Sequence, residues 1–107
     1  MNKARESLGL AVLGDQLYAI GGTGRRTVEC LDLSIPDGHW AHVTAMSMER
    51  KDFGAVVTSE KIYAIGGINT ATRNSMECFD PNEGLQGQWT ISNGTFFRMR
   101  HARFAMF

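Results

Sequence analysis

Glycine, histidine and cysteine clusters are the first places where this chain of 107 residues could do chemistry. Gly21-Gly22-Thr23-Gly24 opens like a phosphate cradle, in which glycines let backbone N–H groups approach a pyrophosphate at a helix N-terminus. The fingerprint fails at position 27, which is Thr, and the segment that follows, Val28-Glu-Cys-Leu, favours a strand where a helix is required. His39 and His42 are three residues apart on an expected strand, which points them to opposite faces and denies them a shared metal ion. Cys30 and Cys78 make neither a disulfide scaffold nor a zinc site. Asn93-Gly94-Thr95 has the glycosylation pattern, but without a secretory signal it has no access to the machinery. The expectation is a chain with no cofactor, no metal and no catalytic set, whose chemistry is that of binding.

Charge narrows what it binds. Eleven basic residues balance eleven acidic ones and the pI is near 6.8, so no field draws in nucleic acid or an anionic membrane surface. Apolar runs such as Leu8 to Leu13 fall far short of the ~18 residues of a membrane span. The sequence reads as cytoplasmic, with reduced thiols.

The elements that position these residues come from an internal repeat. Gly9-Leu-Ala-Val-Leu-Gly-Asp-Gln-Leu-Tyr-Ala-Ile-Gly-Gly22 recurs, displaced by 45 residues and without a gap, as Gly54-Ala-Val-Val-Thr-Ser-Glu-Lys-Ile-Tyr-Ala-Ile-Gly-Gly67. Arg5 and Arg50 keep that displacement, Glu29-Cys-Leu-Asp32 recurs as Glu77-Cys-Phe-Asp80 at 48, and Trp40 recurs as Trp89 at 49. The insertions fall between apolar runs, where loops belong. Within each copy, short apolar runs separated by Gly14-Asp15-Gln16 or Ser59-Glu60 predict tight hairpins. Strands are expected at Leu8–Leu13, Leu17–Ile20, Val28–Leu33 and from Trp40, then at Phe53–Thr58, Lys61–Ile65, Met76–Asp80 and from Trp89. Aligning Phe104 with Phe53 starts a third copy that stops within its first strand. The expected organisation is one repeat over 1–46, a second over 47–98 and a truncated third over 99–107, all-β, each full copy a four-stranded antiparallel meander.

An Arg, a Gly four residues later, Tyr-Ala-Ile-Gly-Gly, Glu-Cys-x-Asp and a spaced Trp together resemble the kelch repeat. The resemblance covers residues 5 to 107 and implies that each copy is one blade of a kelch-type β-propeller. Such a ring has typically about 4–8 blades. The chain would then be a propeller fragment of two blades plus the first strand of a third, or one of several copies that complete a ring. Two departures are visible: Gly84-Leu-Gln-Gly lengthens the loop before Trp89, and His101 stands where the family often has Arg. Glu77-Cys-Phe-Asp-Pro81 looks most like the kelch-like proteins that also carry BTB and BACK domains. That resemblance implies a substrate-recognition part of an adaptor for a cullin-RING ubiquitin ligase, reaching cullin only through a BTB region absent from this chain. An actin-associated or structural kelch scaffold is the alternative.

Residues that recur in register are expected to be structural. Tyr18, Tyr63, Trp40 and Trp89 should pack between blades, and Gly21, Gly22, Gly66 and Gly67 should end strands where backbones approach closely. Arg5 and Arg50 are expected to hydrogen-bond between blades, and Cys30 and Cys78 to be buried and apolar, a blade apart. Residues that keep register but change chemistry are the expected binding set. Ser7, Asp52 and Arg103 form one such column at the entrance to the first strand. Arg25 and Arg26, with Asn69 and Arg73, follow the double glycines. In the resembled family these positions rim the mouth of the channel, and Arg25, Arg73 and Arg103 are expected to fork onto carboxylates of an acidic peptide. Two blades alone expose apolar faces, so the fragment is expected to self-associate.

Overall fold

The computed structural model describes residues 1, 4–67, 75–93 and 103–105. Among them are nine strands: β1 (Gly9–Leu13), β2 (Gln16–Ile20), β3 (Val28–Asp32), β4 (Ala41–Val43), β5 (Gly54–Thr58), β6 (Lys61–Ile65), β7 (Ser75–Asp80), β8 (Gln88–Asn93) and β9 (Arg103–Ala105). β1 to β4 form one antiparallel sheet in sequence order, and the second sheet has the order β8-β7-β6-β5-β9. Among the described residues no helix is long and apolar enough to cross a membrane.

Register follows the hairpins. Leu13 pairs with Gln16 and Thr58 with Lys61, so each first hairpin turns on two residues. Ser59 and Glu60 both have left-handed backbone, φ 52° and 59°, the form that matches the right-handed twist of flanking strands. The same register sets Tyr18 opposite Cys30 and Tyr63 opposite Cys78.

Alternation then assigns the faces. The face of the first sheet that carries Ala11, Tyr18, Ile20 and Val28 packs against the face of the second that carries Phe53, Ala55, Ile62, Ala64 and Phe79, and these residues with Met46 form one buried cluster. Phe53 needs its room made by glycine: a Cβ at Gly9 would lie 2.7 Å from the Phe53 ring. Tyr18 meets Phe79 edge-on at 5.4 Å between centroids, and Phe79 meets Trp89 at 5.0 Å. Trp89 crosses back to the first repeat, its Nε1–H donating to the Thr44 carbonyl at 2.9 Å. The edge-on Tyr18–Phe79 contact and one satisfied indole therefore tie the two sheets together.

Two expectations change at this level. The strand expected to open a third repeat is the fifth strand of the second sheet, with Ala105 opposite Ala55 and Phe104 opposite Val56. An edge strand offers a row of unpaired N–H and C=O groups, and β5 has β6 on one side only until β9 takes the other. The aromatics also divide. Tyr18 is buried and Trp89 packs on the cluster, whereas Trp40 and Tyr63 are half-buried and outside it.

Candidate functional site

The loop after the first double glycine is shaped by backbone that only glycine adopts there. Gly21 and Gly22 have φ of 60° and 113°, and a Cβ on them would lie 2.8 Å from the carbonyl oxygens of Arg50 and Glu6, respectively. Close approach allows hydrogen bonds across the sheets: the Gly22 amide donates to Arg50 O at 2.8 Å, and the Arg50 amide donates to Arg25 O at 3.4 Å. Within the first repeat the Thr23 amide donates to Glu6 O at 2.9 Å. Gly66 and Gly67 repeat the positive φ, at 75° and 142°.

Below the loop lies a buried ion pair that sequence reasoning did not identify as one. Arg5 pairs with Glu29 at 3.0 Å, and Arg5 Nη1 also donates to the carbonyls of Gly21 and Thr27, both at 2.9 Å. In the second repeat Arg50 pairs with Glu77 at 3.2 Å and donates to Gly66 O at 2.8 Å and Ser75 O at 3.4 Å. Side chains of all four charged residues are fully buried. The expectation of inter-blade bonding by these arginines is corrected: their guanidinium groups stay within their own repeat, and it is the Arg50 backbone that crosses. A fork with five donors needs several acceptors. They converge where the second and third strands of a repeat separate, so each arginine closes the neck of a loop. Glu77 also accepts from the Ser47 amide and hydroxyl, both at 2.8 Å, which ties the segment joining the sheets to the same charge. Burial holds the Arg50 guanidinium below its ordinary range, and Glu77 opposes the shift. The available signal was that Arg and Glu both recur with the repeat, a cation and an anion per copy.

Above this clamp, Gly22, Thr23 and Gly24 form one wall and Glu49, Arg50 and Lys51 the other of a cleft of about 170 Å³. Of the expected binding residues, Arg25 and Asp52 follow its lining residues Gly24 and Lys51 in the chain, and neither they nor Ser7 and Arg26 line it. Ser7 and Asp52 are joined directly, the Asp52 amide donating to Ser7 O at 3.2 Å, and both have left-handed backbone. Arg25 Nε donates to Ala4 O at 3.3 Å and the exposed Arg26 donates through Nη1 to Met46 O at 3.2 Å. Each arginine thus commits one nitrogen of its fork to the main chain. Arg103 is not brought there. It lies opposite Val57, at the far end of β5 from Asp52, because β9 runs antiparallel to β5. Asn69 and Arg73 lie outside the described residues.

The cysteines form no disulfide and are half-buried, where buried apolar groups were expected. Cys30 Sγ–H donates to Gln16 Oε1 at 2.8 Å, and burial raises both thiols above their ordinary value. Among the described residues no group of three or more His, Cys, Asp or Glu could hold a metal ion.

No curated protein matches the chain. Residues 49–92, which span the entrance, the double glycine and the four strands β5 to β8 of the second repeat, match the family described as Kelch motif. That match and the two antiparallel sheets together identify the fold as an all-β, kelch-type propeller fragment.

Proposed function

We propose that the chain is a protein-binding module that takes a carboxylate-bearing peptide segment at the cleft between the Gly22–Arg26 loop and the Glu49–Asp52 entrance. The Kelch motif itself points to a protein-interaction module. One observation supports the siting: Gly22–Gly24 and Glu49–Lys51 line one cleft, and Arg25 and Asp52 are the next residues of those two segments. Basic Arg25, Arg26 and Lys51 are interleaved with acidic Glu6, Glu49 and Asp52, a pattern that selects the positions of charges on a partner more than its net charge. Arginine forks suit carboxylates through paired N–H donors. The finer role we propose is substrate recognition for a cullin-RING ubiquitin ligase.

Binding is tested with an array of Asp- and Glu-containing peptides probed with the chain. Charge reversal at Arg25 and Arg26 together should weaken the peptides it selects at least tenfold, and unchanged affinity would remove the site. Recovery of a cullin with the protein expressed from its own locus supports the ligase role, and recovery of actin filaments without cullin replaces it.

A further inference from the structure

A surface hydroxyl reaches the buried clamp of the second repeat. Ser47 lies in the bend between β4 and β5 and is exposed, whereas Arg50 and Glu77 are each 0% exposed. The two oxygens of the Glu77 carboxylate divide their partners. Oε1 accepts from the Ser47 amide and hydroxyl, both at 2.8 Å, and Oε2 accepts from Arg50 Nε at 3.2 Å and lies 3.2 Å from Nη2. One buried anion therefore holds both ends of the stretch from Ser47 to Arg50, the first residue through two donors and the last through its guanidinium.

The same stretch joins the repeats beside the first loop. Just before it, the Met46 amide donates to Arg26 O at 2.9 Å. At its end the Arg50 amide donates to Arg25 O at 3.4 Å, and Arg50 O accepts from the Gly22 amide at 2.8 Å. Glu49, Arg50 and Lys51 are one wall of the cleft. A change at Ser47 is thus transmitted through a single carboxylate to the position of that wall.

We propose that Ser47 is a phosphorylation site that releases the wall and shuts off peptide capture. In the modification the Ser47 hydroxyl oxygen bonds to the γ-phosphorus of a nucleoside triphosphate, the bond from that phosphorus to the diphosphate breaks, and the hydroxyl proton leaves to the kinase's base. Glu77 then loses a donor, because the ester oxygen carries no proton. In place of the donor stands a phosphate of about −1.5 to −2 charges at pH 7, beside a buried carboxylate that it repels. Glu77 is held by Arg50 and Ser47 borders solvent, so it is Ser47 that moves outward. The exposed Arg26, already bonded through Nη1 to the carbonyl of the adjacent Met46 at 3.2 Å, is drawn to the phosphate and away from a peptide carboxylate. The loss of capture rests on the cleft being the peptide site; the release of the wall does not.

Phosphopeptide mapping of the protein recovered from its own cells with phosphatases inhibited should find phosphate on Ser47, and an unmodified Ser47 overturns the site. Release is read by amide hydrogen exchange of the chain carrying phosphoserine at position 47, installed by semisynthesis. The Gly22, Met46, Ser47 and Arg50 amides should exchange at least tenfold faster than in the parent, while those of the β1–β2 hairpin keep their rates. Ser47→Ala, which loses the hydroxyl without adding charge, should change the same amides less than threefold. No acceleration in the phosphorylated chain, or an equal one in Ser47→Ala, overturns the proposal. Should the phosphorylated chain unfold outright, Ser47→Asp, with its smaller charge, substitutes and should accelerate the same four amides. Peptides weakened by charge reversal at Arg25 and Arg26 should be weakened at least tenfold by the phosphate as well, and unchanged affinity overturns the link to capture. If charge reversal leaves every peptide unaffected, the cleft reading fails, while accelerated exchange still supports the release of the wall.

Discussion

Asp52 and Ser7 occupy the same position of successive repeats, and the amide of one donates to the carbonyl of the other at 3.2 Å. Both hold left-handed backbone, φ 51° and 56°, which brings the entrances of β1 and β5 side by side. Asp tolerates that region through its short polar side chain, whereas a β-branched residue does not. Asp52→Val should therefore destabilise by about 1–2 kcal/mol and Asp52→Gly by little or nothing. Chemical denaturation midpoints of the two variants check this.

The Arg50–Glu77 pair is fully buried, so its members depend on each other. Removing one partner of a buried pair leaves an uncompensated charge and costs about 3–5 kcal/mol, whereas replacing both by apolar residues is often near neutral. Glu77→Leu should be severely destabilised, and Arg50→Met with Glu77→Leu should recover much of the loss. A double-mutant cycle measured by denaturant unfolding reads the coupling. Single variants that add up without coupling would contradict the clamp.

Gly87 sits under the Phe79 ring. A Cβ there would lie 2.2 Å from Phe79 Cζ, on backbone with φ +82°. Gly14, with φ +61°, has open space around its Cβ direction. Gly14→Ala should cost only the backbone strain, about 1–2 kcal/mol. Gly87→Ala adds overpacking of about 1–3 kcal/mol. Phe79→Leu in the Gly87→Ala background should relieve part of the added cost, which thermal unfolding of the three variants would show.

Burial and the neighbouring Cys30 push the Tyr18 hydroxyl up to about 12 from an ordinary value of 10.0. The folded state favours the neutral phenol, so the stabilisation is complete below pH 10.0 and is lost as pH rises towards about 12. Tyr63 is shifted in the same direction by the same kind of environment. Stability should fall between those pH values, and Tyr18→Phe should flatten the fall. Absorbance titration of tyrosinate, with unfolding followed in parallel, checks both.

Much of the architecture was legible because it is local and repeated. Alternating apolar runs around Gly14-Asp15 and Ser59-Glu60 predicted the hairpins, and the observed strands differ from those expected by a residue or so at their ends. The column containing Ser7 and Asp52 also pointed to residues that do meet. Arg103 fell out of that column because alignment with Phe53 assumed that the last segment begins a new sheet. An open β5 edge offered it backbone hydrogen bonds, which depend on which strands are neighbours and not on side-chain identity.

By itself the sequence determined the repeat, the all-β class, the order of the four meander strands in each sheet and the glycines that end the second strands, since these depend on short-range periodicity and on φ values that few residues can adopt. Tertiary structure alone decided what the recurring Arg and Glu bind, which aromatic rings are buried and which edge β9 takes. Each of those depends on groups brought together from distant positions. A guanidinium is satisfied by whichever carbonyls converge on it, and a tyrosine is buried only where a second sheet covers its face: Tyr18 has Phe79 upon it, and its equivalent Tyr63 remains half-exposed.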